Sequence, residues 1–489
     1  MGIKRQTLWS MAPLLVISVV NFVSVGLFYR YLGDEMYALW MYVNTLNGTF
    51  GFTDLGLGVA VGRYLGIAIG AQDRAALEQY WGTSNVLALL VVSVMAVIFI
   101  GVGVVFGPIW FQVSPAHISF LRWAFVAGGV SLWMSYYGNF WMVLSQAHFD
   151  FKFIGLSRSI LSVTQVATTL YLAWLTQNPV LLIWVGAAFG FVQLVVYVRH
   201  ALTRYRLGLS LRHSNWARAK ELFGISNKVF GTVLVNSFGG SLDRIVLGRL
   251  APPAAFTYYN IANSPGSRIA ALGASIMGPV FHQTSRALGK GDRAQTVAIF
   301  NESFNWTFGF YALGAIWTIC WHPIFLRLWL GGDLANSVAP AFTPLVVAFC
   351  ITGIGMISNA QLVPLNRVGV EFIFSVIRTI CLGLFTWLGW RWGGLAGVAW
   401  GVLASRIAVI AQDLYTIRLI GGGGWLAWQT WRNLLAQIAV GAAFFAASLL
   451  LPPASWWLIV PAALHGGLMA AWLLRRQIVR GLQSIKGPG

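Results

Sequence analysis

The chain has 489 residues, of which 58% are hydrophobic and only 9% charged, with a mean hydropathy of +0.72. That balance excludes a soluble domain and indicates a polytopic membrane protein. The 32 Lys and Arg outnumber the 13 Asp and Glu, but the basic residues punctuate apolar runs as topology signals do, so the expected surroundings are lipid and nucleic acid is excluded as a partner.

About fourteen runs reach the ~20-residue length that a bilayer requires, at 8–29, 36–62, 83–106, 118–145, 154–175, 179–198, 226–250, 256–281, 297–330, 341–365, 371–390, 394–415, 433–452 and 455–474. The fold class expected is therefore an all-α integral membrane protein. Lys4-Arg5 before the first run imitates a signal peptide, but that run is too long and no small-residue cleavage site follows, so it counts as a span. With the N-terminus in the cytoplasm, 22 of the 32 basic residues fall on the inner side and only five in external loops. This predicts cytoplasmic N- and C-termini. The external loops are short, Gly33-Asp34-Glu35 for example, and leave no room for a folded external domain. The stretch from Arg199 to Lys228 holds seven basic residues and one acid, Glu221. It reads either as an anchor on anionic lipid or as a headgroup-binding linker.

An internal repeat organises the spans. Ala68-Ile69-Gly70-Ala71-Gln72-Asp73-Arg74-Ala75 corresponds to Ala287-Leu288-Gly289-Lys290-Gly291-Asp292-Arg293-Ala294 at an offset of 219, which also pairs Arg30 with Arg249 and Asn44 with Asn263. An offset of 220 pairs Arg158 with Arg378. Six spans separate the copies, so the repeat is parallel, about an axis along the membrane normal. The expected organisation is an N-lobe at 1–198, a basic cytoplasmic linker at 199–225, a C-lobe at 226–415, and two additional helices with a basic tail at 416–489. The two six-helix lobes are pseudo-symmetric, and a transporter built this way places its site between them.

The polar residues inside the spans mark that site. Asn260, Ser264 and Arg268 stand at i, i+4 and i+8 on an apolar helix, forming one wet stripe. Arg268 lies roughly 18 Å along its span at ~1.5 Å per residue, near mid-membrane, where a guanidinium needs a polar cavity or a partner. It reads as an anion clamp, its fork matching phosphate oxygens, or as a structural partner of Asp243. Span 2 carries Asn44, Asn47, Gly51 and Asp54 on one face, and span 7 carries Asn236, Gly240 and Asp243 on another with Arg244 alongside. Asp243 and Asp54 could hold a coupling cation, carry a proton or brace the fold. Arg244 reads as a local partner of Asp243 or a ligand, and Arg63 as snorkelling or substrate-binding. Arg158 and Arg378 could line a cavity floor or brace their bundles, while Asp413 and Glu302 read as interfacial.

No catalytic set emerges: there is no P-loop, no metal-spaced His/Cys cluster and no nucleophile–base pairing, and Cys320, Cys350 and Cys381 are scattered within apolar runs. Trp110, Trp329, Trp390, Trp456 and Trp457 fit an interfacial belt.

Several short motifs in order carry a family resemblance: Arg30-Tyr31-Leu32-Gly33 followed by Tyr37, Asp54-Leu55-Gly56-Leu57 with Arg63 downstream, Asp243-Arg244-Ile245-Val246-Leu247-Gly248 before Tyr258-Tyr259, the Pro279 region, and Gly291-Asp292-Arg293. Over spans 1–12 the chain resembles the Wzx-type O-antigen and exopolysaccharide flippases of the MATE/MOP superfamily. Fourteen spans, against the twelve common there, also resemble the lipid II flippases. The resemblance implies a polyprenyl-pyrophosphate-linked oligosaccharide moved from the cytoplasmic to the periplasmic leaflet of a bacterial inner membrane, with polysaccharide polymerase or assembly proteins as partners. It implies Arg268, with Arg63 or Arg244, on the pyrophosphate, and Asn44, Asn47, Asn260 and Ser264 on sugar hydroxyls. Asp243 or Asp54 would take the coupling H⁺ or Na⁺, and no cofactor is expected. The alternatives are a cation-coupled multidrug antiporter of the same superfamily, which would want carboxylates in its cavity, and a membrane glycosyltransferase or polymerase with Asp34-Glu35 as its acidic pair, which would want a larger external domain.

Overall fold

The computed structural model describes residues 3–51, 57–208, 214–289, 292–362, 364–365, 367–420, 439 and 461–469. Within these, the regular structure is helical: α1 (Ile3–Thr49), α2 (Leu57–Gly70), α3 (Arg74–Trp110), α4 (Ile118–Ala147), α5 (Phe151–Thr176), α6 (Pro179–His200), α7 (Trp216–Gly239), α8 (Leu242–Leu250), α9 (Pro253–Gly289), α10 (Arg293–Leu330), α11 (Gly332–Leu362), α12 (Val368–Ser405) and α13 (Ile407–Ile420). The chain divides into two compact units, Met1–Asn260 and Ile261–Gly489. The all-helical membrane class is borne out.

The expected spans map onto these helices once the breaks are read. α1 contains two helices joined at Gly33, whose φ of 70° is open to glycine and costly for other residues. That break is the tight turn expected at Gly33-Asp34-Glu35. α12 likewise turns back at Gly393 and Gly394 (φ 54° at the second), separating spans 11 and 12. Two spans are in turn discontinuous: the seventh is α7 plus α8 interrupted at Gly240-Ser241, and the twelfth is the end of α12 plus α13 interrupted at Arg406; the second comprises the end of α1 and α2, with residues 52–56 outside the described ones. The spans expected at 433–452 and 455–474 lie outside the described residues, except that 461–469 is helical.

The repeated turn has a physical cause. Asp73 caps α3 by accepting a hydrogen bond from the Ala76 amide (2.9 Å), and Asp292 caps α10 by accepting one from the Gln295 amide (2.8 Å). The amides of Asp73 and Asp292 themselves donate back to the Ala68 and Ala287 carbonyls, each at 3.0 Å. A side-chain cap and a carbonyl closure need the same residues in both copies, so the sequence similarity is the signature of a helix–turn–helix joint.

The surface is that of a protein in lipid. On α3, Leu90, Val97, Phe106 and Ile109 are each about 60% or more exposed. Such a face is stable only against hydrocarbon. Inside the first unit, Leu65, Trp81, Trp141 and Tyr197 anchor a core built from α2, α3, α4 and α6. In the second unit Val280, Phe300, Phe304, Ile357 and Ile417 draw α9, α10, α11 and α13 together.

Candidate functional site

In the first unit the break between α7 and α8 forms a small polar centre. Gly240 and Ser241 end one helix and start the next, so Asn236, Gly240 and Asp243 do not share one continuous face as expected. Instead Asp243 sits in the first turn of α8, where the helix N-terminus favours a carboxylate. It is buried, and the Tyr259 hydroxyl of α9 donates to it. Arg244 folds back over the break: its guanidinium donates to the Gly240 carbonyl (2.7 Å) and to Ser241 Oγ (3.3 Å), with Nε 4.0 Å from Asp243. A guanidinium closing an exposed helix end fits the local-partner reading of Arg244.

The second half of α1 approaches this break through glycines. A Cβ on Gly48 would come within 3.1 Å of Ser241 Oγ, and one on Gly51 within 3.2 Å of Ser237 Oγ. The polar face expected on span 2 therefore meets α7, with Asn47 half-buried and Asn44 exposed, its amide donating to the Trp40 carbonyl one turn back (2.9 Å). At the outer end Thr257 Oγ1 donates to the Asp34 backbone carbonyl (2.9 Å), the Tyr258 hydroxyl donates to the Asp34 carboxylate (3.5 Å) and Glu35 pairs with His117 (2.9 Å). The acidic pair is thus occupied in tying α1 to α9 and α4. A cavity of about 410 Å³ opens beside Gly51, between Leu57 and Gly58 on one side and Tyr136, Asn139 and Gln146 on the other.

On α9, Asn260 is buried with its amide donating to the Phe256 carbonyl (2.8 Å), while Ser264 and Arg268 are half-buried. The three follow one another at single-turn intervals on the same helix, as expected. Asp54 and the side chain of Arg63 lie outside the described residues.

The second unit holds a polar cluster in which one expectation, that for Asp413, fails. Asp413 is buried, not interfacial: Ser358 Oγ donates to its Oδ1. Beside it, Arg378 donates to Gln412 Oε1 (2.6 Å), Asn359 Oδ1 (3.3 Å) and Ser375 Oγ (2.7 Å), and lies 3.8 Å from Glu371. Glu302 is exposed on α10, in keeping with an interfacial position. Among the described residues no group of three or more His, Cys, Asp or Glu side chains could hold a metal ion.

Residues 129–304 match a family model described as "Polysaccharide biosynthesis protein". Solved transporters share the architecture. An inward-facing multidrug resistance MATE family transporter of the MOP superfamily superposes with a TM-score of 0.66 at 15% identity, covering 84% of this chain and 98% of that one. A mutant of the Vibrio cholerae MATE transporter VcmN gives 0.64 at 15% identity, covering 86% and 97%. An outward-facing multidrug resistance MATE family transporter gives 0.62 at 15% identity, covering 86% and 95%. No curated protein sequence matches the chain. The resemblance read from the motifs is borne out: the chain is a multi-pass membrane protein with the MATE/MOP fold and a polysaccharide-biosynthesis signature.

Proposed function

We propose that the protein is a flippase for polyprenyl-pyrophosphate-linked oligosaccharides, moving them from the cytoplasmic to the periplasmic leaflet of a bacterial inner membrane. The observation that carries the reading is the polar stripe of α9, Asn260, Ser264 and Arg268, on a helix within the segment that matches the polysaccharide-biosynthesis model. A pyrophosphate needs a fixed, always-charged cation in a wet cleft, while a prenyl tail can stay in lipid. Arg268 takes the pyrophosphate, with Arg63 or Arg244 in support, and Asn44, Asn47, Asn260 and Ser264 meet sugar hydroxyls. Alternating access supplies movement, and a coupling H⁺ or Na⁺ at Asp243 or Asp54 supplies direction, because net transport requires a ligand whose affinity differs between the two states. Polysaccharide polymerase or assembly proteins would receive the flipped product.

The test is transbilayer movement of a labelled undecaprenyl-pyrophosphate oligosaccharide in proteoliposomes. Wild-type protein should accelerate it and Arg268→Ala, eluting as a folded monodisperse protein, should not. Similarity to multidrug resistance transporters keeps one rival reading in view. If such lipids stay in place while a cationic dye exchanges for protons or Na⁺, the protein is an antiporter and the flippase reading is wrong.

A further inference from the structure

The geometry points to a proton-binding site at Asp413, inside the second unit and separate from the residues assigned above to substrate and ion. This inference rests on the transport reading and goes beyond it by adding a proton carrier distinct from the coupling-ion candidates Asp243 and Asp54.

The internal repeat shows what the cluster is made for. Offsets of 220 and 219 place Asn359 on Asn139 and Gln412 on Gln193, the same spacing that pairs Arg378 with Arg158. In the first unit, Gln193 Nε2 of α6 donates to Asn139 Oδ1 of α4 (3.0 Å). In the second, Gln412 Nε2 of α13 donates to Asn359 Oδ1 of α11. One amide–amide bond thus ties equivalent helices in both copies. Around it the copies diverge. The positions equivalent to Glu371, Ser375, Ser358 and Asp413 are Phe151, Gly155, Gly138 and Leu194. Arg158 is exposed, whereas the Arg378 side chain is only 17% exposed. The first copy therefore closes with a neutral tie, and the charges of the second are additional to what the packing of these helices requires.

Among the described residues those charges do not balance. Two buried carboxylates, Glu371 and Asp413, face one guanidinium, Arg378. Among the described side chains the other cations nearby are placed differently: Arg367, one turn before Glu371, and Arg418, beyond Asp413, are exposed, and the Arg406 guanidinium lies over the Phe349 ring at 5.8 Å. From α11 the site receives only the neutral Ser358 and Asn359. α9 and α10 meet α13 nearby through apolar Val280, Phe300 and Phe304. An excess negative charge at this depth is costly unless a cation or a proton neutralises it.

The hydrogen bonds favour the proton. A Na⁺ would need several free oxygens, but Gln412 Oε1 already accepts from Arg378, and Asn359 Oδ1 accepts from both Arg378 and the Gln412 amide. Glu371 is paired with Arg378 at 3.8 Å and accepts from Ser375 (3.2 Å), so its charge has a partner. Asp413 takes the proton on its carboxylate and, on releasing it, leaves one uncompensated negative charge. That change would draw Arg378 away from Glu371 and load the break at Arg406, from which α13 starts.

The experiment is pH-difference infrared spectroscopy of the purified full chain in lipid nanodiscs. Wild type should show the carbonyl stretch of a protonated carboxyl that disappears as pH rises. ¹³C labelling of aspartate should shift it, Asp413→Asn should abolish it, and Glu371→Gln should retain it. Replacing choline with Na⁺ at fixed ionic strength should leave it unchanged. A band indifferent to Asp413→Asn, or one erased by Na⁺ at constant pH, overturns the proposal. Since the labelled wild type needs no substitution, a poorly folding variant does not remove the test. In proteoliposomes a proton gradient should accelerate transport by wild type and not by Asp413→Asn. The spectroscopic result needs no substrate, so loss of the band leaves the flippase reading standing, and failure of lipid transport leaves the band standing.

Discussion

Spans 4–6 and spans 10–12 are two copies of one design, and the difference between them separates what the fold needs from what function adds. Both tie the fourth helix of their set to the sixth with an Asn–Gln amide bond, and both carry an arginine at the same point of the fifth. The first copy leaves its arginine exposed and has Phe151 and Leu194 where the second has Glu371 and Asp413. A packing requirement would have acted on both copies alike. The charged network is peculiar to one, which is the pattern expected of a working site.

The sharpest way to break the comparison is to remove each arginine. Arg378→Ala strands Glu371 as a buried charge, and deleting one partner of such a pair costs about 3–5 kcal/mol. Arg158→Ala, at an exposed position, should change stability by less than about 0.5 kcal/mol. Thermal unfolding of both variants in one detergent or nanodisc system checks this. Equal losses would mean that both arginines are braces.

A smaller effect should come from the helix crossings themselves. In the first copy Gly190 of α6 lies against Met134 and Ser135 of α4; in the second the glycine has changed sides, with Gly355 of α11 against Val409 of α13. A Cβ on Gly355 would meet Val409 Cγ1 at 2.4 Å. Gly355→Ser, which imports the side chain of Ser135, should therefore cost about 1–3 kcal/mol by overpacking. Adding Val409→Ala should recover much of the loss, because the coupled residues touch. A double-mutant cycle by thermal unfolding measures this. Additive losses would show that the crossing relaxes independently.

Smaller still is the shared tie. Gln193→Leu should cost about 1 kcal/mol, the net value of a hydrogen bond whose acceptor Asn139 is only partly buried. Gln412→Leu should cost more, because Arg378 loses an acceptor at the same time. Equal costs in paired unfolding measurements would mean that the two networks are energetically alike.

Much of this was legible in the sequence. Hydropathy gave about fourteen spans, of which the first twelve fall on described helices, because lipid demands ~20 apolar residues wherever a helix crosses. The Asp73 and Asp292 turns were visible because a cap needs a particular side chain at a particular place. The breaks at Gly240-Ser241 and Arg406 were not, since each falls inside a run long enough to be read as one span and hydropathy does not register a lost backbone bond. Asp413 was misjudged because it stands near the end of its run, and only the Ser358 hydroxyl, 55 positions earlier, shows that it points inward. Tyr259 was in view as part of a motif, but its hydrogen bond to Asp243 depends on how α8 and α9 pack.

The smallest effect lies in the basic linker of the first unit, where charges are as numerous as at Arg378 but face water. Arg218 donates to the Tyr80 hydroxyl (2.8 Å) and to Glu221 (3.2 Å), Tyr80 donates to Glu221 (2.5 Å), and Arg74 holds the Tyr205 and Arg206 carbonyls at 3.0 and 2.8 Å. The Tyr80 hydrogen bond and then Arg218 hold the Glu221 carboxyl below its ordinary range. A carboxylate lowered on folding stabilises the folded state at pH above its unfolded value, and that contribution is lost as pH falls through the folded value. Unfolding of wild type and Glu221→Gln should therefore differ most near neutrality and converge in acid. Solvent keeps the difference small and salt should shrink it further. The Arg378 network, enclosed in the second unit, should respond far less to salt. If added salt weakened both clusters equally, burial would not be what distinguishes them.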